Sequence, residues 1–137
     1  MPDHRSYDYA VIRVVPRVER EEFLNVGVIV SATAGGYLRA RIELDVARLL
    51  ALDPNIDIDS VSAGLAAIPT ICAGGEVAGA IGRLTDRERF HWLVAPRSST
   101  IQTSAVHSGR CDDLDAALEH LVATMVRVDG ARGRARR

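Results

Sequence analysis

The stretch that decides the fold reads Tyr7-Asp8-Tyr9-Ala10-Val11-Ile12-Arg13-Val14-Val15-Pro16. Its residues are mostly β-branched or aromatic, which is typical of a strand, and the proline ends it because proline has no backbone donor for a sheet. A second strand follows at Leu24-Asn25-Val26-Gly27-Val28-Ile29-Val30, with its glycine as a bulge or a point of close backbone approach. The third strand alternates apolar and basic residues, which puts them on opposite faces: Tyr37-Leu38-Arg39-Ala40-Arg41-Ile42. The first half of the chain therefore predicts an antiparallel meander.

The hydrophobic spacing becomes helical in the middle of the chain. Asp45 can cap a short helix, and Asp57 or Asp59 can cap a second one. Pro69 should kink or split the second helix, because proline removes a helical hydrogen bond. Residues 74–82 are interpreted as a loop that can contain one helical turn. We expect one or two helices here.

Two further strands and a final helix complete the predicted fold. The strands are residues 90–95 and 101–107, joined by the turn at 96–100 to give a second hairpin. Asp112 or Asp113 can cap the helix, Gly130 can end it, and its apolar stripe is Leu114, Leu118, Leu121, Val122, Met125 and Val128. The sequence thus predicts an α+β protein, in which a mainly antiparallel five-stranded sheet (three-strand meander plus hairpin) is packed by the C-terminal helix and by the middle helices. Residues 1–130 form one predicted domain and 131–137 a flexible basic tail.

Composition limits the partners and the compartment. A net charge of −1 and a pI near 6.4 give no reason to expect a polyanionic partner, so nucleic-acid binding is not expected. The chain shows neither a signal-peptide core nor an apolar run long enough for a membrane span, which predicts a cytoplasmic protein that does not enter a membrane. Cys72 and Cys111 lack ligand spacing and are interpreted as reduced, buried thiols.

All 17 basic residues are arginine, because the sequence contains no lysine. This excludes chemistry that needs an ε-amine in cis, including Walker A loops, Schiff-base and pyridoxal phosphate enzymes, and protein-kinase catalysis. Serine nucleophile elbows, glycine-rich phosphate loops and metal-ligand clusters are also absent from the sequence. We expect neither a cofactor nor a metal.

Basic residues on the predicted strands offer one candidate binding site. If the first and fourth strands are neighbours, Arg13, His91 and Arg97 could converge on an anion, since guanidinium and imidazolium groups suit carboxylate or phosphate. The alternative is a solvated or partner-covered sheet face that carries scattered arginines. Ser98 lies in a turn that could form an anion nest or could simply be a turn.

Four further polar residues are candidates without a motif that fixes their role. They are Arg17, Glu22, Asn25 and His107. Paired H-x-T or H-x-S strands would indicate a two-histidine phosphoesterase, but the H-x-S at His4 lies in the terminal arm. That enzyme class is therefore disfavoured.

Two separated motifs resemble a known bacterial family. They are Arg20-Glu21-Glu22-Phe23-Leu24-Asn25-Val26-Gly27-Val28-Ile29 and Arg89-Phe90-His91-Trp92-Leu93-Val94-Ala95-Pro96-Arg97-Ser98. Together with the opening strand and the segment 106–109, they resemble the bacterial domain of unknown function 3037 family from about Tyr7 to Val126. The resemblance is loosest between Asp53 and Asp86, Ala105 stands where proline is expected, and the tail lies outside the pattern. The family has no assigned activity, but its members are often encoded beside HipA-like kinase homologues.

Three functional hypotheses follow from these observations. The first is a non-catalytic accessory protein that binds a partner through a surface around four basic residues, because arginine and tryptophan are concentrated there without a catalytic constellation; the residues are Arg13, Arg17, His91 and Arg97. The resemblance suggests the neighbouring HipA-like kinase homologue as the partner. The alternative is an enzyme that acts on a phosphate-containing or nucleotide substrate, with His91 or His107 as general acid or base and Arg97 holding the anion. A third is nucleic-acid binding through the basic tail. The oligomeric state stays open.

Overall fold

The sheet has the predicted meander at its centre. A computed structural model describes residues 5–128. The strands β1 (Arg5–Val14), β2 (Leu24–Ala32) and β3 (Tyr37–Ile42) pair in an antiparallel manner, and β4 (Ile101–Thr103) and β5 (His107–Cys111) both pair with the other side of β1. The order is β3-β2-β1-β4, with β5 also on β1. The predicted five-stranded antiparallel sheet is confirmed.

Four α-helices are found among the described residues, and side-chain caps begin each of them. They are α1 (Val46–Leu52), α2 (Ile58–Ala73), α3 (Asp86–Leu93) and α4 (Leu114–Met125), with 3-10 segments at Val18–Arg20 and Glu76–Arg83. Asp45, Asp57 and Asp113 accept backbone hydrogen bonds as predicted. Pro69 lies inside α2 without splitting it, and α4 ends at Met125 instead of continuing to Gly130.

Helices cover both faces of the sheet, and each face has its own apolar core. On one face, Ile12 and Val14 pack with Leu65 and Phe90 beneath α1, α2 and α3. On the other face, the stripe of α4 packs against β2, and this core contains Val28, Val30, Leu114, Leu118, Leu121 and Val122. This arrangement confirms the α+β class, because the strands are antiparallel and helices pack on the sheet.

The strand predicted at residues 90–95 is wrong, because residues 90–93 form the end of α3 and residue 94 caps it. Thr85 and Glu88 form a capping box: each side chain accepts a backbone hydrogen bond from the other residue. Phe90 and Leu93 are both buried, and their separation of three residues suits one helical face. Trp92, which a strand would place on the same face as Phe90, is 42% exposed. The hairpin predicted from this strand is replaced by two short strands, β4 and β5, on β1.

Among residues 5–128, no single helix has both the length and the apolarity of a membrane span; α2 and Glu76–Arg83 have them only when taken together, as a pair bent by 65°. The predicted basic tail at 131–137 lies outside the described residues.

Candidate protein-interaction surface

A cleft of about 520 Å³ lies beside the end of β1 and the turn that follows α3. Arg13 and Val15 come from the β1 side, Val18 from the 3-10 segment, and Arg97 and Ser98 from the turn. Phe23, just before β2, completes the apolar part of the lining. The structure therefore brings together three of the residues that the sequence singled out, Arg13, Arg97 and Ser98.

Arg13 stacks on an aromatic ring at this cleft. Its guanidinium carbon lies 4.0 Å from the centroid of the Phe23 ring, a distance at which the ring face attracts the cation. The strand pairing shifts by one position between Ile12 and Arg13, where β1 faces the start of β2. The Nε atom of Arg13 is buried without a hydrogen-bond partner among the described residues.

Arg97 forms a second stack of the same kind. Its guanidinium carbon lies 4.5 Å from the centroid of the Trp92 ring, and its Nη1 and Nη2 atoms donate to the carbonyls of Leu93 (3.1 Å) and Trp92 (2.6 Å). Those carbonyls belong to the end of α3, where helical acceptors are unpaired and a cation is favoured. Arg97 thus both caps α3 and supports the outward-facing tryptophan.

Three large apolar residues at these stacks are exposed. Val18 is 46%, Phe23 44% and Trp92 42% exposed. Together with the two stacked arginines, they define what we call the arginine–aromatic surface: Arg13, Val18, Phe23, Trp92 and Arg97. Clustered aromatic and arginine side chains are the composition that protein interfaces favour.

Acidic residues at the same cleft argue against a simple anion site. Glu19 and Glu21 line it together with the two arginines, so the charges balance. Arg17, predicted as a candidate, does not line the cleft and pairs with Glu19 at 3.3 Å. Glu22 pairs with Arg20 at 2.7 Å, and that hydrogen bond lowers the pKa of the Glu22 carboxyl. Both pairs are exposed and contribute little to stability.

Asn25 has a role in packing, away from this surface. Its side-chain nitrogen donates to the carbonyl of Met125 at 3.1 Å and so ties β2 to the end of α4. The Oδ1 atom is buried without a partner among residues 5–128. Asn25 lines a separate cleft of about 350 Å³ together with Glu43 and Arg127, whose side chains form an ion pair at 2.6 Å.

The two candidate histidines lie on opposite faces of the sheet. His107 stacks on Tyr9, with ring centroids 5.4 Å apart, and Tyr9 packs against the core under α4. His91 belongs to α3, which covers the other face through its neighbour Phe90. The predicted convergence of His91 with Arg13 and Arg97 is not seen, because His91 does not line their cleft. Because residues 86–93 form a helix and not a strand, the His91 side chain does not share a face with Arg13.

The cysteines and carboxylates of residues 5–128 form no metal-binding cluster. Within that range, no group of three or more His, Cys, Asp or Glu residues is placed to hold a metal ion. Cys72 and Cys111 are free thiols, and only Cys72 is fully buried. Burial raises the pKa of the Cys72 thiol to about 12, so this thiol stays protonated at neutral pH.

Sequence reasoning missed three members of the surface. Val18, Phe23 and Trp92 are not among the candidate residues of the sequence analysis, because the sequence does not reveal which apolar side chains remain exposed. A helical interpretation of residues 86–93 would have placed Trp92 on the side opposite the buried Phe90 and Leu93, near the end where Arg97 caps the helix.

The fold and the surface define an α+β protein whose antiparallel sheet lies between helices and which displays arginine–aromatic stacks at one end. A family model described as "Protein of unknown function (DUF3037)" matches residues 9–126. The chain therefore belongs to the domain of unknown function 3037 family. Searches of curated proteins and of solved structures found no significant match.

Proposed function

We propose that this protein is a non-catalytic accessory protein that binds a partner protein through the arginine–aromatic surface. The observation that carries the proposal is that Arg13 and Arg97 line one cleft while each guanidinium lies over an exposed aromatic ring, Arg13 over Phe23 within the cleft and Arg97 over Trp92 beside it. Tryptophan and arginine are the residues that most often dominate binding energy, because they present large rigid areas with polar edges. The partner that we propose is a HipA-like kinase homologue encoded nearby, and the compartment is the cytoplasm.

Prior ordering of the side chains favours binding at this surface. Arg97 is held by two helix carbonyls, and its guanidinium carbon lies over the Trp92 ring. Immobilising a long side chain at an interface costs about 0.5–1.5 kcal/mol, and a residue that is already held avoids most of that cost. Glu19 and Glu21 at the edge of the cleft provide charge that can select a partner with complementary basic groups.

The enzymatic alternative lacks a shared site among the described residues. His91 and His107 lie on opposite faces of the sheet, and Arg97 uses its guanidinium to cap α3. A general acid or base must come within hydrogen-bond reach of the same substrate as the anion-binding group. The accessory role is therefore the better supported of the two.

The test is co-purification with the neighbouring kinase homologue, followed by titration calorimetry. Trp92→Ala is the central variant. A tryptophan side chain has up to about 250 Å² of accessible surface, and Trp92 is 42% exposed. A partner that covers it therefore removes roughly 100 Å² from water, which contributes about 2.5 kcal/mol to the free energy of binding. We expect binding to weaken by about 70-fold.

The matched control is Val77→Ala, which truncates an 88% exposed apolar residue in the segment Glu76–Arg83, outside the surface. It should leave the dissociation constant unchanged, and Phe23→Ala should weaken binding as Trp92→Ala does. Separate elution of the two proteins at micromolar concentration contradicts the proposed partner. Equal affinity of the Trp92 and Val77 variants contradicts the proposed surface.

A further inference from the structure

A second cleft, of about 710 Å³, lies at the opposite end of β1. It is bounded by the first residues of β1, by the turn between β2 and β3, and by the first turn of α3. Its volume falls within the roughly 300–1,000 Å³ typical of small-molecule sites. We call it the Arg5–Arg87 cleft, and its polar side chains are Arg5, Ser6, Asp8, Ser31, Thr33 and Arg87.

Two guanidinium groups border this cleft from different elements. Arg87, on α3, donates from Nη1 to Asp8 at 3.0 Å, which occupies one of the five N–H donors that a guanidinium carries. Arg5, on β1, lies beside the turn: its Nη1 is 3.8 Å from the position that a Cβ would take on Gly35. The two cations are thus positioned by separate parts of the backbone.

Hydroxyl groups supply further donors. Ser31 is only 2% exposed and lies opposite Asp8 in the pairing of β2 with β1, so its backbone position is fixed by the sheet. Ser6 and Thr33 are exposed and line the same cleft. A hydroxyl can rotate to donate to an anionic oxygen, so these groups complement the guanidinium donors.

Asp8 does not make the cleft acidic. Its Oδ1 accepts from the Ser108 hydroxyl at 2.8 Å, and its Oδ2 accepts from Arg87. These bonds lower the pKa of the Asp8 carboxyl, which is ionised and fully engaged at neutral pH. Two guanidinium groups against one carboxylate leave one net positive charge in the lining.

We propose that the Arg5–Arg87 cleft binds the phosphoryl group of a small molecule. Guanidinium forks pair well with phosphate oxygens, often by two parallel bonds. The donors here come from β1, β2, the adjoining turn and α3, and thus approach from several directions. A tetrahedral group with three terminal oxygens can satisfy such an arrangement, whereas a planar carboxylate with two oxygens leaves some donors unpaired.

The test is an amide chemical-shift titration with inorganic phosphate and, in parallel, with ribose 5-phosphate, at constant ionic strength. Sodium acetate serves as the carboxylate comparison. Saturable shifts are expected at Ser6, Asp8, Thr33 and Arg87. Tighter binding of ribose 5-phosphate would identify a phosphomonoester as the ligand, and tighter binding of inorganic phosphate would identify the free ion.

Arg5→Gln and Arg87→Gln should each weaken phosphate binding by roughly tenfold to a hundredfold, since each removes a charge-assisted interaction. Arg5→Gln keeps the Arg87–Asp8 pair intact, so its result does not depend on that contact. The matched control is Arg39→Gln, which removes an exposed arginine that pairs with Asp115 on α4. Shifts that fail to saturate, that are equal with acetate, or that are unchanged in both cleft variants overturn the proposal.

Discussion

Replacing Arg89 by methionine should loosen α3, the helix that carries Trp92 and Arg87. The Arg89 side chain is 9% exposed, and its guanidinium donates to the carbonyls of Leu84 and Cys72 and pairs with Asp86 at 2.7 Å. Methionine preserves most of the apolar stem but leaves the buried carbonyl of Cys72 without its donor. An unsatisfied buried group costs about 1–3 kcal/mol, and loss of the ion pair adds to this, so we expect about 2–4 kcal/mol of destabilisation.

The measurement is urea and thermal unfolding followed by circular dichroism. For a domain of this size, the expected change corresponds to a fall in Tm of roughly 6–16 °C. Arg110→Met is the matched control, because it removes the same charge from an exposed position on β5 and should change stability by less than about 0.5 kcal/mol. Equal stability of the two variants would refute the assigned role of Arg89.

Two further predictions concern the sheet. Gly27→Ala should destabilise the fold by about 1–3 kcal/mol or more in denaturant titrations, because the added Cβ would lie 2.5 Å from the carbonyl oxygen of Arg41; an unchanged midpoint would contradict this close approach. Hydrogen bonds from Ser108 and, to a lesser extent, from Arg87 lower the pKa of the Asp8 carboxyl in the folded state. The ionised Asp8 therefore stabilises the fold fully above the unfolded-state pKa of about 3.9, and this stabilisation is lost as the pH falls through the lower folded-state pKa. The stability difference between wild type and Asp8→Asn, measured by urea unfolding between about pH 2 and 7, should therefore shrink below about pH 4; a pH-independent difference would contradict it.

The first half of the fold was predictable because β1 and β2 are rich in β-branched residues and β3 alternates apolar and basic residues. Leu38 is buried against the α2 side of the sheet, while Arg39 and Arg41 reach Asp115 and Glu119 of α4 on the other side. Period-two spacing fixes which face each residue occupies, and only a shift of register could reverse it. Gly27 was correctly interpreted, because a glycine within an apolar strand indicates either a bulge or close packing.

The error at α3 has a specific physical cause. A segment of eight residues is too short for its apolar spacing to distinguish a strand from a short helix. Phe90 and Trp92 are two residues apart, which is also the spacing of neighbours on one face of a strand. The deciding signal was local: Thr85 followed three residues later by Glu88, which forms a capping box. Arg89 also fits the solvent-facing position of an alternating strand. In the structure it is buried, and its guanidinium donates to the backbone carbonyls of Cys72 and Leu84.

The candidate sites were less predictable, because the function of an arginine depends on partners that are distant in sequence. Arg127 is held by Glu43, 84 residues away, and Arg97 instead stacks on its near neighbour Trp92. Both arginines carry the same charge and both follow a helix. Residue type alone therefore cannot show that Arg127 is engaged in ion pairs within the fold while Arg97 lies beside an exposed ring. The distinction arises where the sheet and helices place carboxylates: Arg127 meets two of them, whereas Arg97 meets carbonyls and an exposed ring. Interaction with a partner protein is therefore to be sought where a guanidinium group lies over an exposed aromatic ring.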